Sequence, residues 1–183
     1  MSLCPQFLTL ILKTLLNNVF CRNLSRAKYI LEKIIQETTT LLAVSAEEKK
    51  IAIDWNIPKD TLLYTDYNML SFIIRNLLIN AIKYTPAHGK ITITANDVSS
   101  TNPDHPLVRI CVTDTGIGIP KAELPKLFNA REHYTRKGTQ NEKGVGLGLM
   151  LCKEFVEKSG GTITVSSKLN EGTTFCFEVP GKG

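Results

Sequence analysis

Arg75-Asn76-Leu77-Leu78-Ile79-Asn80-Ala81-Ile82-Lys83-Tyr84-Thr85-Pro86 is the stretch on which the reading of the chain turns. Leu70, Ile73, Ile74, Leu77, Leu78, Ala81 and Ile82 recur at helical spacing, so the stretch is the second half of an amphipathic helix. Asn76, Asn80 and Lys83 follow one another at spacings of four and three and share a face, with Tyr84 beside them. Two amides, an ammonium and an aromatic ring form an unusual stripe on a helix that otherwise buries itself. On this stretch alone, a plain surface stripe of a core helix remains an open alternative.

Working outward, Asp66 sits where an N-cap belongs, so the helix is expected from Tyr67 to Tyr84, with Pro86 and Gly89 stopping it. Ile51 to Ile57 alternates as a strand closed by Pro58. Lys90 to Asn96 and Leu107 to Thr113 also alternate and flank a polar loop, which implies an antiparallel hairpin. Thr162 to Ser167 and Thr173 to Val179 form another across Asn170-Glu171-Gly172. Helices are expected over Phe7 to Val19, over Arg26 to Val44 behind a Ser25 cap, and from Val145 or Leu147 to Lys158. Thr115 to Gly144, about 30 residues rich in Gly, Pro and charge, reads as a functional lid or a disordered segment. Strands on either side of two helices predict an α+β two-layer sandwich.

The chain has 183 residues, 43% hydrophobic and 21% charged, an ordinary composition for a domain with a real core. Its formal charge of +5 is modest, and no dense run of Lys and Arg with interleaved aromatics occurs, so no nucleic-acid surface is indicated. The five cysteines (Cys4, Cys21, Cys111, Cys152 and Cys176) are scattered without a CxxC pair, which suggests neither a zinc site nor a disulfide framework and fits a reducing cytosol. No stretch approaches the roughly 20 apolar residues that span a bilayer. Phe7 to Leu16 is short, interrupted by Lys13, and lacks the basic start of a secretory signal.

Chemistry concentrates in three places. On the first helix, amide oxygens with water can complete the shell of a magnesium ion whose other ligands are phosphates. An ammonium one turn on can neutralise a phosphate, and an aromatic ring can stack on a base. Second, Asp114-Thr115-Gly116-Ile117-Gly118-Ile119-Pro120 ends a strand. A carboxylate there can accept from an exocyclic amine, and the glycines admit a flat ligand close to the backbone. Third, Gly144-Val145-Gly146-Leu147-Gly148-Leu149 opens a helix and offers free N–H groups to an anion. A dinucleotide fingerprint fails there, because a polar lid rather than a strand precedes it, and a P-loop fails because no Gly-Lys-Ser/Thr follows.

In this order and context, the motifs resemble the catalytic, ATP-binding domain of bacterial two-component sensor histidine kinases. That family lies within the wider superfamily (GHKL, or HATPase) of gyrase, a heat-shock chaperone and mismatch-repair ATPases. Asn76 to Thr85 is similar to the family's N box, Asp114 to Gly118 to its G1 box, Gly144 to Gly148 to its G2 box, and Leu127-Phe128 to a reduced F box. The match covers about Ser25 to Pro180, which predicts a catalytic domain over residues 25–183 behind a helical extension over residues 1–24.

The resemblance implies a mixed sheet of about five strands on three helices, with ATP between helices and lid. It makes Asn80 the magnesium ligand, with Asn76 supporting it and the phosphates, and Lys83 meeting a phosphate; these three are the catalytic residues it implies. It has Tyr84 stack on adenine and Asp114 read the adenine amine. It also places Gly116, Gly118, Ile119 and Thr173 at the nucleotide, with Lys137 of the lid. Gly144, Val145, Gly146, Leu147 and Gly148 complete the implied set. Superfamily members that hydrolyse ATP carry Glu four residues before the magnesium Asn. This chain has Asn76 there, and a carboxamide cannot take a proton from water. Phosphoryl transfer to a protein acceptor is favoured instead.

None of the three histidines (His88, His105, His133) precedes the N box, so none matches the acceptor that the family phosphorylates. The expected partners are therefore ATP, a histidine-bearing dimerisation domain from the same parent protein or another chain, and a response regulator downstream. The expected setting is cytoplasmic, on a parent protein free to be membrane-anchored. Among the lid cations, Arg131, Arg136 and Lys137 are candidates for the γ-phosphate. Two other functions stay open: a nucleotide-sensing pseudokinase module, and a serine/threonine kinase of the same fold.

Overall fold

A computed structural model describes residues 25–98, 106–129, 138–140, 142 and 147–181. The expected helix over Phe7 to Val19 lies outside these residues. So do His105, His133 and the lid cations Arg131, Arg136, Lys137 and Lys143.

The chain runs β1 (Arg26–Ile30), α1 (Leu31–Glu48), β2 (Ala52–Asn56), β3 (Leu62–Asp66) and α2 (Tyr67–Tyr84). It continues through β4 (Lys90–Val98), β5 (Leu107–Asp114), a 3-10 turn at Lys121–Lys126, α3 (Gly148–Lys158), β6 (Ile163–Lys168) and β7 (Gly172–Pro180). The main sheet is five-stranded in the order β2-β4-β5-β7-β6, parallel at β2/β4 and antiparallel elsewhere. β1 and β3 pair antiparallel as a separate ribbon. This is the expected α+β sandwich, with a mixed sheet on one side of the described helices.

Strand alternation builds the layers. Ile91, Ile93 and Ala95 of β4, Val108, Ile110 and Val112 of β5, and Phe175 and Phe177 of β7 turn one face inward. Against them α2 buries Leu70, Ile73, Ile74, Leu77, Leu78, Ala81 and Ile82, the apolar stripe of the sequence. Each Leu and Ile side chain of the stripe contributes about 1.5–3 kcal/mol on burial, which is what holds α2 in one rotation about its axis. Phe155 and Val156 bring α3 onto the same core, with Phe155 edge-on to Phe72 at 5.2 Å between centroids.

Three expectations need correction. Arg26 to Ile30 is strand, so the first described helix begins at Leu31 behind Ile30 and not behind a Ser25 cap. Pairing with β3 wins over the local helical pattern. Thr38, Thr39 and Thr40 sit inside α1 by donating their hydroxyls to carbonyls one turn back, at 2.7–2.9 Å. β3 itself is an addition: Leu62 to Asp66 was not expected as a strand. Finally, Cys111 and Cys176 face each other on β5 and β7 and form a disulfide that their sequence separation of 65 conceals.

Candidate functional site

The first side of the site is α2. Asp66 caps it as expected: Oδ1 accepts from the backbone N–H of Asn68 at 2.9 Å and of Met69 at 3.1 Å. With the apolar stripe inward, Asn76 and Asn80 are half-buried on the other face. The Asn76 amide donates from Nδ2 to the carbonyl of Phe72 at 2.9 Å, which fixes its rotamer. Its Oδ1 is then turned toward the first residue of α3: a Cβ on Gly148 would stand 2.5 Å from it. The N box and the end of the G2 box therefore meet directly. Lys83 is only 9% exposed, and its Nζ lies 4.9 Å from the centre of the Tyr84 ring. That arrangement keeps the cation on the site side of the helix.

The second side is the end of β5. Asp114 is 6% exposed, and its Oδ1 accepts from the N–H of Gly116 at 2.8 Å and of Thr173 at 3.2 Å. Burial pushes its carboxyl up to about 6, against the pull of those two hydrogen bonds. Asp114 and Thr173 are register partners across β5 and β7. Gly116 has to be glycine, since a Cβ would stand 2.5 Å from the Tyr84 carbonyl and 2.6 Å from Asp114 Oδ1. Gly118 lies at φ +63°, a left-handed turn, which brings the loop over the β6–β7 hairpin.

Backbone bonds stitch these parts together. Ile117 donates to the Tyr84 carbonyl at 3.0 Å, and Asn170 donates to the Ile117 carbonyl at 2.9 Å. Ile119 donates from its backbone N–H to Ser167 Oγ at 2.8 Å. Ser167 Oγ also lies 2.8 Å from the Gly172 carbonyl and 2.9 Å from Thr173 Oγ1. Ser167 is a site-supporting residue the sequence did not single out: on paper it is one of many strand hydroxyls.

Of the expected site residues, Asn76, Asn80, Lys83, Tyr84, Asp114, Gly116, Gly118, Ile119, Leu147, Gly148 and Thr173 are described. They fall on α2, the β5 end, the first turn of α3 and the β7 start; the bonds above tie α2, the loop after β5 and the β6–β7 hairpin together, and α3 packs on α2 where Gly148 meets Asn76. Lys137, Gly144, Val145 and Gly146 lie outside the described residues. Leu147 is the N-cap residue of α3 and Gly148 its first residue. Leu127 is buried, and Phe128 stands edge-on to Phe175 at 6.4 Å, so the reduced F box anchors the lid's first half in the core.

Among the described residues no cluster of three or more His, Cys, Asp or Glu is placed to hold a metal. Asn80 offers a single neutral oxygen. Such a donor suits magnesium when phosphates and water supply the remaining ligands. No helix of the described residues is long and apolar enough to cross a membrane.

A sequence profile of the histidine kinase-, DNA gyrase B- and HSP90-like ATPases matches residues 65–183. The adaptive-response sensory kinase SasA of Synechocystis sp. is 34% identical over 148 residues, 80% of this chain and 37% of that protein. The chain spans less than two fifths of the length of such curated relatives. The catalytic domain of histidine kinase ThkA, in a nucleotide-free form, superposes with a TM-score of 0.70 at 28% identity, covering 85% of this chain and 95% of that one. ThkA in complex with response regulator protein TrrA matches with a TM-score of 0.71 at 25% identity, over 96% of this chain and 48% of that one. Full-length ShkA in complex with AMPPNP matches with a TM-score of 0.73 at 26% identity, over 96% of this chain and 36% of that one. The chain belongs to the histidine kinase-, DNA gyrase B- and HSP90-like ATPases and, within them, is a catalytic domain of the sensor histidine kinase type.

Proposed function

We propose that this domain binds Mg-ATP and transfers its γ-phosphoryl group to a histidine on a dimerisation domain, from which a response regulator is served downstream. The observation that carries the proposal is Asn76. Hydrolysis needs a base to take a proton from water, and the position that would supply it holds an amide that donates to the Phe72 carbonyl and packs against Gly148. A neutral imidazole nitrogen needs no such base, because it presents a lone pair as it stands. It attacks the γ-phosphorus, the bond from that phosphorus to the β,γ-bridging oxygen breaks, and ADP leaves with the electron pair.

The chain's own work is then positioning and charge. Asp114 receives the exocyclic amine of adenine and Tyr84 packs on the ring. Thr173, held to Asp114 through its backbone N–H, and Ile119, held to Ser167, complete the base pocket. Asn80, supported by Asn76, holds magnesium, which supplies charge neutralisation between the phosphates. Lys83 meets a phosphate, the N–H groups over Gly144 to Gly148 receive the phosphate chain, and one of the lid cations Arg131, Arg136 and Lys137 is assigned to the γ-phosphate. Residues 25–183 form the catalytic domain, a reading supported by β1, which pairs into the fold from Arg26 onward. Residues 1–24 are read as either a remnant of the dimerisation hairpin or a contact helix. The setting is the cytoplasm, a reading that rests on the family resemblance and not on the cysteines, since Cys111 and Cys176 are bonded to each other.

The test is incubation with a helical hairpin domain carrying a candidate histidine and γ-labelled Mg-ATP. Label that is stable in base and lost in acid supports the proposal. Acid-stable label would assign a serine/threonine kinase, and binding without transfer would assign a nucleotide-sensing pseudokinase.

A further inference from the structure

Lys49 follows α1 in the run Glu47-Glu48-Lys49-Lys50 and looks like a surface lysine. It is 3% exposed. Its Nζ lies 2.9 Å from the Ile82 carbonyl, 3.1 Å from the Lys83 carbonyl, 2.7 Å from Thr139 Oγ1 and 2.7 Å from Glu142 Oε1. A buried ammonium is costly unless paired and hydrogen-bonded, and this one is fully engaged. The carbonyls are those left without partners inside the helix at the C-terminal end of α2, where a cation also complements the helix dipole. The other two groups belong to the C-terminal stem of the lid.

That stem is tightly built. Thr139 donates its N–H to the Lys83 carbonyl at 3.0 Å. Gln140 donates its N–H to Glu142 Oε2 at 2.7 Å, and Gly138 donates to the Glu142 carbonyl at 3.1 Å. Gly138 packs on the stem of Lys83, where a Cβ would stand 2.6 Å from Cγ. Burial pushes the Glu142 carboxyl up, but Lys49 and the backbone donors outweigh it and hold it below the usual range. The charge on Glu142 is therefore kept for Lys49.

We infer that Lys49 is a positioning residue for phosphoryl transfer: it ties the stem residues Thr139 and Glu142 to the carbonyls of Ile82 and Lys83, and so holds the end of α2 from which the Lys83 side chain reaches the terminal phosphate. Lys49 acts through the end of α2 and Lys83. The inference rests on the Mg-ATP reading above. It makes the terminal phosphate, not the base, the part of the nucleotide that senses Lys49. Adenine is held by Asp114 and Tyr84, and the Lys49 bonds given above run to other residues.

The experiment uses the full chain, with equilibrium binding of Mg-ATP and Mg-ADP measured separately by titration calorimetry. Wild type, Lys49→Met and Glu142→Gln are compared after circular dichroism shows each folded. Glu142 has a side chain 34% exposed, so its variant keeps the question open if Lys49→Met fails to fold. Both variants are expected to bind Mg-ATP about tenfold more weakly, as for a coupling of ordinary size, with Mg-ADP changed less than about twofold. The double variant is expected to lose no more than Lys49→Met alone. Equal losses for ATP and ADP, or no loss for either, would overturn the inference. Wild type that binds neither nucleotide would overturn the Mg-ATP reading itself.

Discussion

Oδ1 of Asn76 occupies the space beside Gly148 so closely that a Cβ there would stand only 2.5 Å away. The two residues come from motifs more than 70 positions apart and set how near the start of α3 comes to the polar stripe of α2. Gly148→Ala gains helix propensity of about 1 kcal/mol, yet the overlap costs about 1–3 kcal/mol, so a net loss of stability is expected. Thermal melts of Gly148→Ala with and without Asn76→Ala check this. The second change is expected to recover part of the loss, and additive losses would refute the contact.

Asp114 carries a pH dependence. Its carboxyl is raised from 3.8 to about 6 by burial. The folded state therefore holds the proton more tightly than the unfolded state does. This favours the fold below pH 4, and the advantage is lost as pH rises from about 4 to about 6. Above that window the buried charge costs on the order of 3 kcal/mol. Asp114→Asn is expected to melt higher than wild type at pH 7 and at the same temperature near pH 3.5. ATP affinity should run the other way. It should fall as pH drops through about 6 in wild type, and be weak and flat in Asp114→Asn. Calorimetric titrations from pH 5 to 8 make the comparison.

Asn80 is half-buried on the open face of α2 and none of the hydrogen bonds described above involves it. Asn80→Ala is therefore expected to change stability by less than about 0.5 kcal/mol while abolishing magnesium-dependent transfer. Melting and a transfer assay with and without magnesium separate the two effects.

The cysteines are expected to differ sharply. Cys152 is buried and its thiol is pushed up to about 12 by burial, so alkylation should spare it until the chain unfolds. Cys111 and Cys176 lie on the outer, half-buried face of the sheet, and reduction should open them to labelling. Because the bond closes a long loop, Cys111→Ser is expected to lower stability under oxidising conditions by about 2–4 kcal/mol. Peptide mass spectrometry after alkylation, paired with melts, reads both.

Much of this was legible before the structure, for identifiable reasons. The α2 pattern combines a clear 3.6-residue period with Asp66, whose cap geometry is local, so both boundaries hold. Asp114 and Gly116 could be found because a strand-ending carboxylate beside glycine is a local signal. Arg26 to Ile30 could not, because five residues running straight into a helix have no local mark of a strand. Only Leu62 to Asp66, across the ribbon, makes them one. Leu62 to Asp66 was hidden between Pro58 and the cap at Asp66. Lys49 was invisible for a different reason: its sequence neighbours are charged and exposed, and its burial is created by residues as far along the chain as Thr139 and Glu142.

The most direct test of the central claim is the fate of the γ-phosphoryl group in a single turnover. The full chain, in excess over γ-labelled Mg-ATP, is mixed with a histidine-bearing hairpin domain, and label is counted as phosphohistidine and as free phosphate. The account expects phosphohistidine to exceed free phosphate, and Asn80→Ala to produce neither. Label released as inorganic phosphate, with no phosphoprotein formed, would contradict it.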